Sequence, residues 1–274
     1  MSTSGKTYPT MLTIAGSDSV GGAGIQADIK TATALGVYAM SAITAITAQN
    51  THGVRSFVAT SPEMVSGQLH AVLDDVRPDA VKIGMLPDAE TVRLVADILR
   101  RYELRHIVVD PVLVATSGDA LSHEGVPQAM VQALFPLAEI VTPNIPELRT
   151  LTGADNADHD FQAMAHRLIA TSGCGAVLIK GGHLGGDECT DSIVRASVPA
   201  VSVTSPRIDT PNTHGTGCTL SSAIASHLAL GFGLDEAVRR AHAYLARAIA
   251  DGAQYVIGHG HGPVNHMWKT TNSL

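Results

Sequence analysis

Aromatic residues make up only 4% of this 274-residue chain, with a single tryptophan, and charged residues only 16%. With 45% hydrophobic residues beside that low charge, the composition excludes a disordered polymer, which lacks the apolar surface to offset chain entropy. No run of basic residues occurs, and the formal net charge is −7 with a pI near 6.0, which argues against a nucleic-acid partner. The three cysteines, Cys174, Cys189 and Cys218, lie far apart without CxxC spacing. They fit neither a disulfide framework nor a zinc site, and they point to a reducing compartment. No apolar stretch is long enough to span a membrane, and the first apolar run, Met11–Ala15, is too short for a signal segment. The expectation is a soluble cytoplasmic protein without a membrane partner.

What is present is glycine, 26 residues of it, and an alternation of short apolar runs with amphipathic stretches. Strands are expected at Met11–Ala15, Met40–Thr47, Val54–Thr60, Ala80–Ile83, Ile107–Val109, Glu139–Val141, Ala176–Ile179, Ser192–Arg195 and Ala200–Thr204. Helices are expected at Ala23–Leu35, from Ser61-Pro62-Glu63 onward, at Asp88–Arg101, around Val126–Leu134, at Phe161–Thr171, Thr219–Leu230 and Asp235–Asp251. The strands read as nearly continuous apolar runs, as a sheet covered on both faces requires. The chain is therefore read as α/β: a three-layer αβα sandwich around a central, mostly parallel sheet. One domain over residues 11–274 follows a flexible segment, residues 1–10. Ligands of such a sheet collect at the carboxyl ends of its strands.

The distinctive polar clusters follow predicted strands. Asn212-Thr-His-Gly-Thr-Gly-Cys-Thr-Leu-Ser221 is a glycine-rich turn opening a small-residue helix. A helix start offers free N–H groups and the positive end of the dipole to an anion. Cys218 at that turn is expected to have a lowered thiol pKa and to serve as a base in phosphoryl transfer; the other reading is a packing turn with a small buried thiol. Ala15-Gly-Ser-Asp-Ser-Val-Gly-Gly-Ala-Gly-Ile-Gln-Ala-Asp28 contains a loose GxGxxA. The second strand ends in Ala48-Gln49-Asn50, without the carboxylate that a dinucleotide fold places there, so a close backbone approach to a small ligand is preferred.

Gln49 carries both donor and acceptor and suits a neutral heteroaromatic ring. Asn144 and Glu147, in Thr142-Pro-Asn-Ile-Pro-Glu147, read either as magnesium organisers or as a capping box. Lys180, before two glycines, reads either as a triphosphate contact or as a solvated strand-end lysine. Asp110 is either a supporting group or a turn residue. Gly5-Lys6-Thr7 lacks the glycine of a Walker loop, and no GxxxxGK[ST] occurs, so ATP use would not run through a P-loop. His259, His261 and His266 are read as loop histidines, not as a metal site.

Taken in order, Gly16-Ser-Asp, Gly21-Gly-Ala-Gly-Ile-Gln-Ala-Asp28, Thr47-Ala-Gln-Asn-Thr51, Lys82-Ile-Gly-Met85, Asp110-Pro-Val, Thr142-Pro-Asn-Ile-Pro-Glu147, Lys180-Gly-Gly-His183 and the Asn212–Ser221 stretch resemble the hydroxymethylpyrimidine/phosphomethylpyrimidine kinases of thiamine biosynthesis. The resemblance runs from about Met11 to Gly262-Pro263. It implies a ribokinase-like fold, ATP and Mg2+, a homodimer, and two successive phosphorylations of 4-amino-5-hydroxymethyl-2-methylpyrimidine. It places the pyrimidine near Gly16, Asp18, Ala23, Thr47, Gln49, Met85 and His214. By the same resemblance Gly215, Thr216, Gly217 and Cys218 form the catalytic turn, Asn144 and Glu147 organise the magnesium and phosphates, and Lys180 lies near the phosphates. Pyridoxal kinases share this type of turn and are the nearest alternative; a non-catalytic nucleotide-binding relative is another. Val20, Thr47, Thr116 and His259 depart from frequent family residues.

Overall fold

The structure, a computed structural model, describes residues 7–113, 123–155, 157–183 and 185–268. Among the described residues nine strands form one sheet in the order β3-β2-β1-β4-β5-β6-β7-β8-β9. They are β1 (Thr10–Ser17), β2 (Tyr38–Asn50), β3 (Gly53–Ala59), β4 (Ala80–Ile83), β5 (Ile107–Val109), β6 (Ile140–Val141), β7 (Val177–Ile179), β8 (Glu188–Val194) and β9 (Val201–Pro206). From β2 through β7 the spatial neighbours pair in parallel. β3 pairs antiparallel with β2 at one edge, and β8 and β9 add antiparallel pairs at the other. The helices are α1 (Gly24–Ala34), α2 (Pro62–Leu73), α3 (Ala89–Arg101), α4 (Val126–Ala129), α5 (Ile145–Thr152), α6 (Phe161–Ser172), α7 (Thr216–Ala229) and α8 (Leu234–Gly252).

The period of two along each strand divides the core. Leu12, Ile14, Val81, Ile83 and Val109 face a layer built from Leu69, Val95, Val126, Leu148 and Leu168 of α2 to α6. Met11, Ala80, Val108, Ile140 and Leu178 face the opposite layer, with Ala32 of α1, Ile224 of α7 and Val238 of α8. β4, β5, β6 and β7 are buried at every position. This is the three-layer sandwich read from the sequence.

Local chemistry sets the helix starts. Ser61 accepts from the Met64 N–H ahead of α2, with Pro62 in its first turn, and Asp88 accepts from the Thr91 N–H ahead of α3. The structure adds α5, which the sequence reading lacked, begins β8 at Glu188, four residues earlier than expected, and shifts further boundaries. β2 runs on to Asn50 because β3 folds back on it beyond the body of the sheet. Helical winding continues past α4 through a π-wound turn at Met130–Leu134 and a short 3-10 turn to Leu137. α7 begins at Thr216, so the glycine-rich turn lies inside its first turn. The expected flexible segment is held at its end, where the Pro9 carbonyl accepts from the Tyr38 N–H and the Thr10 N–H donates to Asp79; residues 1–6 lie outside the described residues.

Candidate active site

The parallel strands β1, β2, β4, β5, β6 and β7 end at Ser17, Asn50, Ile83, Val109, Val141 and Ile179. Immediately beyond or at those ends stand Asp18, Gln49, Met85, Asp110, Asn144 and Lys180, so six positions far apart in sequence converge. They line a cavity of about 610 Å³. Every residue that the resemblance places in the site is in its wall: Gly16, Asp18, Ala23, Thr47, Gln49, Met85, Asn144, Glu147, Lys180, His214, Gly215, Thr216, Gly217 and Cys218.

The turn between β1 and α1 is organised by Asp18. Its carboxylate accepts from the N–H groups of Val20, Gly22 and Ala23 at 2.8 to 3.0 Å, and shares a hydrogen bond of 2.8 Å with His214 Nε2. Burial pushes the Asp18 pKa up, but the bonds from His214 and the backbone override it and hold the group below the usual carboxylate value. Gln26 completes the turn, accepting from the Asp18 N–H and donating to Ser17 Oγ. The turn sits directly on the second glycine-rich segment. A β-carbon on Gly22 would run into the His214 ring, and one on Gly215 into the Gly22 carbonyl oxygen. Gly215 also adopts a φ of 83°, which an L side chain resists.

Gly215 precedes α7 with no side chain capping the helix. Helix geometry leaves the first-turn N–H groups of Gly217 and Cys218 without an intrahelical acceptor, so the turn is built to receive an anion. The Cys218 thiol differs from expectation. Burial pushes its pKa up to about 11; Lys82 opposes the rise, Asp28 and Asp110 add to it, and the Gly24 N–H opposes it. The lowering inferred from the helix start is overturned because the surrounding protein removes more solvent than the dipole repays.

Beyond the anion turn lies a charged cluster. Lys180 Nζ is 2.8 Å from Asp110 Oδ1 and 3.8 Å from Glu147 Oε2, and its side chain is only 14% exposed, so it is no solvated strand-end lysine. Asp110 also accepts from Thr142 Oγ1 at 3.0 Å and Ser221 Oγ at 3.3 Å. Burial raises its pKa, but Lys180 and Lys82 reverse the effect and hold it below the ordinary value. Burial lifts Glu147 to about 7, against Lys180 and with Asp110. Asn144 and Glu147 do form a capping box: each side chain accepts from the other's N–H at 2.8 Å. The capping role therefore holds, and both residues also line the cavity.

Two residues with no role assigned from the sequence sit beneath the site. Lys82 Nζ makes bonds of 2.9 and 2.8 Å to the two Asp28 oxygens, and both side chains are fully buried. The signal was a lysine inside the apolar strand run Ala80–Ile83, which demands a buried partner.

A family model described as phosphomethylpyrimidine kinase matches residues 18–265. The chain belongs to the phosphomethylpyrimidine kinase family. It is 52% identical over 265 residues to the hydroxymethylpyrimidine/phosphomethylpyrimidine kinase of Rhizobium meliloti, covering 94% of this chain and 98% of that one. It is 48% identical over 258 residues to a thiamine biosynthesis bifunctional protein of Geobacter sulfurreducens, of which it spans 52% of the length. Among solved structures, the ADP complex of Bacillus subtilis pyridoxal kinase superposes with a TM-score of 0.88 at 34% identity, over 97% of this chain and 100% of that one. The fold is thus the pyridoxal kinase-like, ribokinase-type α/β fold.

Several expectations for this phosphomethylpyrimidine kinase-family chain need adjustment against its geometry. Residues lining the cavity also include Cys189, Asp191, Arg207, His242, Leu245 and Ile249, from β8, the segment after β9, and α8, which the sequence reading left unassigned. Only their convergence in space marks them. Of the three histidines read as loop residues, His266 is buried and bonds Thr219 Oγ1 at 3.0 Å, tying the C-terminal segment to α7. His259 is exposed, and His261 Nδ1 lies 3.2 Å from the Pro211 carbonyl oxygen. Among the described residues no group of three or more His, Cys, Asp or Glu is placed to hold a metal. Among them, too, no helix is long and apolar enough to cross a membrane. Thr116 lies outside the described residues.

Proposed function

We propose that the protein transfers a phosphoryl group from Mg-ATP to the hydroxymethyl group of 4-amino-5-hydroxymethyl-2-methylpyrimidine, and then phosphorylates the monophosphate to the diphosphate, as a step of thiamine biosynthesis. The observation that carries this reading is one cavity joining the amide of Gln49, the Gly215–Cys218 turn and the Lys180 cluster. The Rhizobium relative named for both phosphorylations, 52% identical over nearly its whole length, supports the same activity.

Gln49 reads the ring edge. Its Oε1 lies 3.2 Å from Thr47 Oγ1, which donates to the Ser17 carbonyl oxygen at 2.9 Å, so the amide sits beside the β1–α1 turn. Met85, whose sulfur lies against Gly16, gives the ring an apolar face. The free N–H groups of Gly217 and Cys218 receive the phosphoryl oxygens as charge develops. Lys180, held 2.8 Å from Asp110 and 3.8 Å from Glu147, turns toward the triphosphate. Asn144 and Glu147 supply the oxygen donors that would hold Mg2+, which would neutralise phosphate charge when bound. The alcohol oxygen attacks the γ-phosphorus, the β–γ bridging bond breaks, and the alcohol proton passes to the Cys218 sulfur. Cys218 must first release its own proton, so it is a strong base populated sparingly at neutral pH. The second acceptor is a phosphate monoester, already ionised near neutrality, and needs no such base.

Unpaired thiols suit the cytoplasm. A homodimer fits the exposed Ile46 and Val58, which face each other across the β2–β3 ribbon. The pyridoxal kinase likeness supplies the competing substrate. Comparing kcat/KM on the aminopyrimidine and on pyridoxal tests the assignment: the account requires the aminopyrimidine to win, and a preference for pyridoxal sinks it.

A further inference from the structure

Ala45, Thr47 and Gln49 alternate along β2 and share one face, while Ile46 and Ala48 point to solvent on the other. The irregularity in the β2–β3 pairing beyond Ala48 places its extra residue, Arg55, on β3, so the alternation along β2 is kept. Ala45 packs with Met85, and Thr47 and Gln49 line the cavity beside them. The main chain of Gln49 is clamped by Ser19. Its N–H donates to Ser19 Oγ and its carbonyl oxygen accepts from the same hydroxyl, both at 2.8 Å. With the strand end held, what stays open is which end of the Gln49 amide faces a ligand.

Hydrogen counting decides it. Thr47 is buried, and its hydroxyl owns a single hydrogen. The Ser17 carbonyl oxygen, which can only accept, takes that hydrogen at 2.9 Å. Ser17 is itself fixed, by its place in β1 and by Gln26, which donates to its Oγ at 2.8 Å. Thr47 Oγ1 therefore offers the Gln49 amide, 3.2 Å away, only its lone pairs. An amide oxygen is repelled by them; an amide nitrogen donates to them. The two ends of an amide have the same shape, so exchanging them disturbs no packing. With Nε2 against Thr47, the second Nε2 hydrogen and Oε1 are left for the cavity, in a fixed order.

We propose that Thr47 is a specificity-determining residue: by accepting from Gln49 Nε2 it orders the amide, so that Oε1 receives an exocyclic amino group while the second Nε2 hydrogen bonds the adjacent ring nitrogen. An aminopyrimidine edge matches this order. The corresponding lactam edge, an oxo group beside a ring N–H, presents the reverse order and is refused. The identity of the ligand rests on the proposed kinase function. The order of the amide does not, and it is measured without ligand.

In the ligand-free protein labelled with 15N-glutamine, with the signal assigned through Gln49→Glu, a Gln49 side-chain N–H should show a nuclear Overhauser contact to the Thr47 methyl group. Thr47→Val should move that N–H resonance. Absence of the contact, or a resonance that Thr47→Val leaves in place, overturns the proposal whatever the protein phosphorylates. The functional measurement offers 4-amino-5-hydroxymethyl-2-methylpyrimidine and its 4-oxo counterpart as acceptors with Mg-ATP. Thr47→Val should lower the ratio of kcat/KM, amino over oxo, by about tenfold or more, because the amide is then free to turn over. Thr47→Ser keeps the hydroxyl and should restore the ratio. Thermal melting checks that both variants fold. A Thr47→Val protein that melts lower yet keeps the wild-type ratio has lost a merely structural hydroxyl, and contradicts the proposal. Failure of the wild type to phosphorylate either compound would sink the kinase reading alone, since the resonance measurement still decides the order of the amide.

Discussion

Asp18 and His214 are 196 residues apart in sequence and 2.8 Å apart in the fold, where their bond fastens the β1–α1 turn to the anion turn. The two glycine-rich turns that line this cavity are therefore one mechanical unit. Asp18 lines the cavity, but its oxygens are occupied by three backbone N–H groups and a histidine.

Asp18→Asn should consequently act on stability as well as on substrate binding. It removes the charge and turns an amide donor toward N–H groups that need an acceptor. A loss of about 2 kcal/mol or more is expected, seen as a Tm lower by roughly 4–8 °C, together with a raised KM for the pyrimidine. Unchanged melting would show that the turn does not depend on this carboxylate.

Gly215→Ala tests the same junction from the other side. The positive φ and the abutting Gly22 carbonyl leave no place for a methyl group, so the two turns must separate. Displacing the anion-binding N–H groups by even an ångström should lower kcat by about a hundredfold. Steady-state kinetics on the first phosphorylation reads this directly, and near-normal kcat would refute the tight packing of the two turns.

Cys218→Ala should slow the first phosphorylation more than the second. The alcohol must lose a proton, whereas the monoester, with a second pKa of about 6, is already largely ionised. Single-turnover rates on each acceptor separate the steps. Equal losses would make Cys218 a positional residue only.

The C-terminal tie gives a pH prediction. Burial is the main cause lowering the His266 pKa from 6.5 to about 4, with Lys30 and His214 adding to it. The unfolded chain binds this proton near 6.5 and the fold resists it until about 4, so the stability tied to neutral His266 is complete above 6.5 and is lost as pH falls toward 4. The loss from this group is on the order of 3 kcal/mol. His266→Gln should flatten the fall of Tm across that window; an unaltered slope would count against it.

The sequence made the architecture legible because its signals are local. Ser61-Pro62 and the apolar runs carry their own geometry, and the glycine-rich turns announce an anion site. The cavity wall was legible because the motifs follow strands that end on one edge. What escaped depends on distance. For Lys180, the solvated reading falls away beside the phosphate-contact reading only when Asp110, 70 residues away, is brought to 2.8 Å. Asp28 and Lys82, 54 residues apart, reveal their bond only when α1 packs against β4. The acidity of Cys218 was misjudged for the same reason: the helix start is visible locally, and the burial that outweighs it is not. The burial of the loop residue His266 escaped because its partner, Thr219, is 47 residues away.

The most direct test is to incubate the purified protein with Mg-ATP and 4-amino-5-hydroxymethyl-2-methylpyrimidine and follow the products by mass over time. The account requires the monophosphate to appear first and the diphosphate to follow from it. Absence of any phosphorylated aminopyrimidine, from protein that still binds ATP, would contradict it.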